Sequence, residues 1–189
     1  MSSEQAEHGR QTPTRRLFFA LCPDEPCRRT LALGMRRALP RGAGRPVPAV
    51  NLHLTLVFLG RTEETAMDCV LQAGGRVRAA SFQLVLGHVG YWARPRVLWL
   101  GPRQTPAALF ALVAAVRDSL RTCGLGLTPR PYQAHMTLLR KAQPPRATIH
   151  FPPLVWALRR FSLMESVAQD GGVCYQELRS WPLSHADSA

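Results

Sequence analysis

The chain has 189 residues, with 24 Lys and Arg against 12 Asp and Glu for a formal net charge of +12, and 46% of it is hydrophobic. That content excludes a wholly disordered chain and suits one sizeable domain or two small lobes sharing a core. No uninterrupted apolar run is long enough to span a bilayer, and the polar N-terminus lacks the apolar segment of a secretion signal, so a cytoplasmic protein is expected.

The arginine excess suits a partner that carries phosphate, although a solvated basic surface alone would look the same. Five cysteines (Cys22, Cys27, Cys69, Cys123 and Cys174) are odd in number and contain no C-x-x-C pair. They read as scattered, reduced and mostly buried.

Residues 1–14 hold almost no large apolar side chains and read as a disordered leader. Structure is expected to begin at Arg16, with a buried strand over 17–21 stopped by Cys22-Pro23-Asp24. Asp24 can cap a helix running to about Leu39, with Pro26 in its first turn, and residues 40–48, rich in Gly and Pro, form a loop. Residues 52–59 read as a strand that Gly60 ends, and Thr62 opens a helix to about Ala80 that Gly74 and Gly75 weaken.

Strands are expected over 82–86 and 96–100, joined by the loop H-V-G-Y-W-A-R-P. The clearest helix spans 105–123, with Leu109, Leu112, Val113 and Val116 on one face and Gly124 as its stop. A strand over Q-A-H-M-T-L-L-R-K-A follows, then a proline-rich loop over 144–153 and strands near 158–167 and 173–181, turned by Asp170-Gly171-Gly172. Two related halves, 16–80 and 81–183, are the expected organisation, with strands open to exchange between them. Residues 15–183 form the expected single domain and 184–189 a tail.

The chemistry rests on a doubled pattern. N-L-H-L-T-L-V-F-L-G places His53 and Thr55 two residues apart in an apolar run, and A-H-M-T-L-L-R repeats this with His135 and Thr137. Residues two apart in a strand share a face, so each motif presents an imidazole and a hydroxyl together. One His-x-Thr carries little weight, whereas two in the same setting argue for function over histidines merely bonded within a sheet.

Paired imidazoles suit acid–base catalysis, one taking a proton from a nucleophile while the other gives one to the leaving oxygen. Threonine hydroxyls can steady the charge on a phosphate. A metal site competes poorly, because no carboxylate or cysteine stands at ligand spacing beside either histidine.

At these residues, together with R-R-L-F-F-A-L, P-R-V-L-W-L-G and S-W-P-L, the sequence resembles the 2H phosphoesterase superfamily. Within it the likeness is to the bacterial RNA 2',3'-cyclic phosphodiesterases, also called 2'-5' RNA ligases, and it covers nearly the whole chain. The resemblance implies a bilobal α+β fold, with two pseudo-symmetric lobes of antiparallel sheet, helices packed outside and a central cleft. It implies hydrolysis of 2',3'-cyclic phosphate on RNA ends or nucleotides to a 2'-phosphate, with no cofactor and no metal.

By that analogy His135 activates water, His53 protonates the departing 3'-oxygen, and Thr55 and Thr137 hold the phosphate. Arg140 matches a phosphate-binding arginine, but ideal alternation points it away from His135 unless the strand ends or bulges after Leu139. Ala134 stands where many relatives carry proline. Tyr132, Trp92 and Phe19 are candidates to stack on a base, with packing in the core or a loop the favoured alternative for each, while His8, His88, His150 and His185 read as structural or exposed.

The same groups could run the reverse joining reaction, and a non-catalytic RNA-binding module is the alternative of a different class. No long hydrophobic seam argues for a dimer, so a monomer is expected.

Overall fold

In a computed structural model of the chain, residues 13–127, 131–170 and 172–184 are described. Most of the expected leader and tail, with His8 and His185, therefore lies outside the described residues, as does Gly171 of the expected turn. The strands are β1 (Thr14–Leu21), β2 (Arg45–Pro46), β3 (Leu54–Glu63), β4 (Phe82–Leu86), β5 (His88–Trp92), β6 (Val97–Gly101), β7 (Met136–Arg140), β8 (Leu154–Leu158), β9 (Arg160–Gln169) and β10 (Gly172–Pro182). The helices are α1 (Glu25–Ala38), α2 (Met67–Arg76) and α3 (Ala107–Ser119).

One eight-stranded antiparallel sheet runs β10-β9-β1-β3-β7-β6-β5, with β2 paired to β7, and β4 with β8 makes a separate two-stranded sheet. The fold class is α+β, as expected. The two halves of the large sheet meet at β3 and β7 through one residue pair, Leu54 with Met136. They are not consecutive halves of the chain, because β9 and β10 return to lie beside β1.

Alternation divides the sheet's two faces. Leu17, Phe19, Leu54, Leu56, Met136, Leu138, Phe161 and Leu163 point inward and share a core with Leu31 of α1, Val70 of α2 and Leu109 and Leu112 of α3. The alternate residues Phe18, Ala20 and Met164 make a small cluster on the opposite, open face.

Asp24 caps α1 as expected, its carboxylate accepting from the Cys27 amide at 3.0 Å. Several boundaries differ. The first strand starts at Thr14 rather than at Arg16, and Ser184, expected in the tail, donates its amide to the Ala79 carbonyl.

Gly60 does not end β3; it takes φ +76° and the strand continues to Glu63, with Thr62 buried in it rather than capping a helix. The helix expected from Thr62 starts at Met67 and stops at Arg76. H-V-G-Y-W, expected as a connection, is the edge strand β5, a reading its mid-strand glycine obscured. The strand expected over 158–167 is two, β8 and β9, broken at Arg159 as the chain passes from the small sheet to the large one.

Cys69 and Cys123 form a disulfide joining α2 to the turn after α3, and Cys22, Cys27 and Cys174 are half-buried. The expectation of five reduced and mostly buried cysteines is corrected on both counts. Spacing could not show the bond, because α2 and α3 bring together residues 54 apart in sequence.

Candidate active site

Each histidine stands one residue before its strand, His53 ahead of β3 and His135 ahead of β7. Each is held the same way. His53 Nδ1–H donates to the Asn51 carbonyl at 2.8 Å, and His135 Nδ1–H donates to the Gln133 carbonyl at 2.8 Å. A carbonyl only accepts, so Nδ1 keeps its proton and Nε2 is the atom left to exchange one.

Burial lowers the pKa of both rings. His53 falls to about 4, chiefly by loss of water and further by the positive charge of Arg140 and by His135, against a rise from its bond to Asn51. His135 is lowered by burial and partly restored by its bond to Gln133. His53 feels the charge of both Arg140 and His135, so the three groups lie close enough to act on one another.

The question of Arg140 is answered by a bulge. Trp99 lies opposite Thr137 and Leu98 opposite Leu139, so Leu138 is an extra residue in β7. Leu138 and Leu139 are both buried, alternation shifts by one, and Arg140 emerges exposed on the face of His135 and Thr137. The bulge falls one residue earlier than the sequence argument required.

β3 repeats the device. Ala20 lies opposite Thr55 and Phe19 opposite Val57, leaving Leu56 as the extra residue. Leu56 and Val57 are both buried, and Phe58 comes out 53% exposed, level with Phe18 of the open face. Arg16 packs over its ring at 5.4 Å. Phe58 is thus the counterpart of Arg140.

The halves are bridged by Tyr175 of β10. Its ring lies edge-on to His53 at 4.7 Å and to Phe18 at 5.1 Å, and Arg140 Nη2 donates to its hydroxyl at 3.2 Å. Asn51, 8% exposed, holds Tyr175 in place: its side-chain amide donates to the Val173 carbonyl at 2.7 Å and its side-chain oxygen accepts from the Tyr175 amide at 3.2 Å. The same residue thereby orients His53 through its backbone and Tyr175 through its side chain.

Of the three stacking candidates, Trp92 stands beside His135, ring centres 4.5 Å apart. Phe19 is fully buried in the core, and Tyr132 is packed against Phe110 with its hydroxyl donating to the Thr55 carbonyl at 3.3 Å. Those two take the packing role that the sequence favoured for such rings. Sequence reasoning missed Asn51, Tyr175 and Phe58. Only Phe58 left a readable signal, since it follows His53 by the interval at which Arg140 follows His135.

Among the described residues no group of three or more His, Cys, Asp and Glu could hold a metal ion, and no helix is long and apolar enough to cross a membrane.

Residues 23–170 match the family model described as the 2'-5' RNA ligase superfamily. A protein of Escherichia coli strain K12 called RNA 2',3'-cyclic phosphodiesterase is 37% identical, over 90% of this chain and 97% of its own length. One of the same name from Thermus thermophilus is 30% identical over 89% and 90%. The crystal structure of E. coli LigT complexed with 3'-AMP superposes with a TM-score of 0.82 at 36% identity, covering 92% of this chain and all of that one (100%).

Proposed function

The chain belongs to the 2'-5' RNA ligase superfamily, and from that premise we propose that it hydrolyses 2',3'-cyclic phosphate at RNA ends or on nucleotides to a 2'-phosphate. Residues 15–183 act as one catalytic unit, and its own side chains suffice without a metal. The observation that carries the reading is the repeated setting of His53 and His135, each with Nδ1 tied to a carbonyl two residues back and Nε2 free.

In this mechanism water lies between His135 and the phosphorus. His135 Nε2 takes a proton as the water oxygen bonds to phosphorus, the P–O3' bond breaks, and His53, entering as the imidazolium, gives its Nε2 proton to O3'. The products are a 2'-phosphomonoester and a 3'-hydroxyl. Thr55 and Thr137 donate to the non-bridging oxygens, and Arg140 offers its guanidinium fork to the same phosphate, where negative charge grows as the phosphorus becomes five-coordinate.

A phosphodiester anion in the site also raises the His53 pKa toward the working range, because it opposes the positive charge of Arg140. Tyr175 keeps Arg140 and His53 in register. Phe58, exposed on the open face, offers a platform for the terminal base.

The test incubates the protein in excess EDTA with an oligoribonucleotide ending in 2',3'-cyclic phosphate and follows the phosphorus by NMR. A 2'-phosphomonoester, lost in folded His53→Ala and His135→Ala, is the expected result. A 3'-phosphate product, or turnover that needs added metal, overturns the mechanism. Supplying a 5'-hydroxyl oligonucleotide in the same tube reports any joining.

A further inference from the structure

A row of rings on the open face of the second half takes no part in the chemistry above. From His135 the ring centres step 4.5 Å to Trp92, 5.4 Å on to Trp99 and 5.5 Å on to His88. Trp99, only 7% exposed, is the floor of this row. Its indole lies over Gly90 of β5 so closely that a Cβ there would clash with it, and any larger residue would lift it. Half-buried Trp92 and exposed His88 stand on β5 to either side of that glycine.

The row ends at an opening. His88 is also part of the lining of a cavity of about 840 Å³ that includes Arg103, Gln104, Thr148 and His150 and to which no carboxylate among the described residues contributes. The other wall of the site is built differently. There β10 pairs Glu177 with Met164 of the open face, and Glu177 accepts from Ser162 at 2.7 Å and pairs with Arg160 at 4.0 Å. An arginine already paired with a carboxylate offers a phosphodiester backbone little, whereas rings leading to an arginine attract one.

A 2',3'-cyclic phosphate ends its strand, so all remaining RNA lies on its 5' side and must leave over one of these walls. We propose that Trp92, His88 and the Arg103 cavity form a subsite for single-stranded RNA immediately 5' of the cyclic phosphate, which makes oligonucleotide ends the preferred substrates over free cyclic mononucleotides. The inference rests on the cyclic phosphodiesterase reading and adds its substrate class. His88 and Trp92 supply ring faces to bases, and Arg103 a charge to the backbone.

The experiment compares kcat/KM on a tetranucleotide ending in 2',3'-cyclic phosphate with that on 2',3'-cyclic AMP, for the wild type, His88→Ala, His88→Phe and Arg103→Gln. The wild type should favour the tetranucleotide by about 10-fold. His88→Ala and Arg103→Gln should each shrink that ratio severalfold, and His88→Phe should preserve it because a ring remains. Arg103→Gln should also flatten the salt dependence of the tetranucleotide reaction, by about 0.7 in log–log slope.

A wild-type ratio near one, or the same ratio in every variant, overturns the subsite while leaving the activity intact. If neither substrate turns over, the activity reading fails by itself, and affinity decides the subsite. A tetranucleotide ending in 2'-phosphate must then bind about 10-fold tighter than 2'-AMP and lose that advantage in Arg103→Gln; equal affinities overturn the inference.

Discussion

The strands that follow His53 and His135 are built alike and finished differently. Both histidines are tied by Nδ1 to a carbonyl two residues back, and both strands carry a bulge directly after the threonine. Both bulges bury two consecutive apolar residues and return the third to the open face. In the first strand that third residue is Phe58, and in the second it is Arg140. Their surroundings diverge too: His53 packs against Phe18 and Tyr175, whereas His135 has Trp92 at its side. A duplicated backbone device therefore fixes where the two histidines and threonines lie, and in the proposed function the side chain at the third position decides what each half handles, an aromatic ring for a base and a guanidinium for a phosphate.

The sharpest way to break the symmetry is to remove each imidazole. His53→Ala and His135→Ala should each cost about 10²–10⁴-fold in kcat, and the double variant should lose far less than the product of the two, because the groups act as a unit. The halves should separate on a phosphodiester with a nitrophenolate leaving group, which departs without a proton. On it His53→Ala should recover most of its activity and His135→Ala should not; equal recovery would dissolve the assignment of acid and base.

Arg140→Ala comes next, at about 10²-fold in kcat. Its second signature is electrostatic. Arg140 lowers the pKa of His53, so Arg140→Gln should move the alkaline limb of kcat/KM to higher pH, and an unmoved limb would deny the coupling. Phe58→Ala should instead raise KM about 10-fold with a smaller change in kcat, and Phe58→Tyr should restore it. A loss confined to kcat would mean that Phe58 acts on the chemistry rather than on the base.

The doubled His-x-Thr pattern made the proposed reacting groups legible in the sequence, because period-two alternation alone places an imidazole and a hydroxyl together. Ideal alternation by itself points Arg140 to the other face, and the bulge that returns it was only a condition in the sequence, since a bulge inserts a residue without leaving any mark in composition. Asn51 stood in the quoted motif, but its role depends on β10, which lies more than a hundred residues away and reaches it only through the sheet. The same long-range pairing returns β9 and β10 to the first half and breaks the expected division at residue 80. Gly60 and Gly90 misled for a local reason: glycine ordinarily weakens strands, and here one accommodates a positive φ and the other an indole.

The smallest expected effect is on the pH dependence of stability, and it too distinguishes the two strands. His53 has a folded pKa of about 4, below the ordinary histidine value of 6.5, so between those values the unfolded chain binds the extra proton. Its contribution is fully present above pH 6.5 and is lost as pH falls through about 4, on the order of 3 kcal/mol across the window. Urea unfolding from pH 7 to 4 should show this slope, and His53→Gln should flatten it more than His135→Gln. Catalysis draws on the same proton: kcat/KM should peak between about pH 4 and 6.5 and fall on the alkaline side as the His53 imidazolium disappears. With substrate bound, the phosphate charge should displace the kcat profile to higher pH than that of kcat/KM. Coincident profiles would mean that the phosphate does not sit against His53, and the division of labour between the two strands would have to be redrawn.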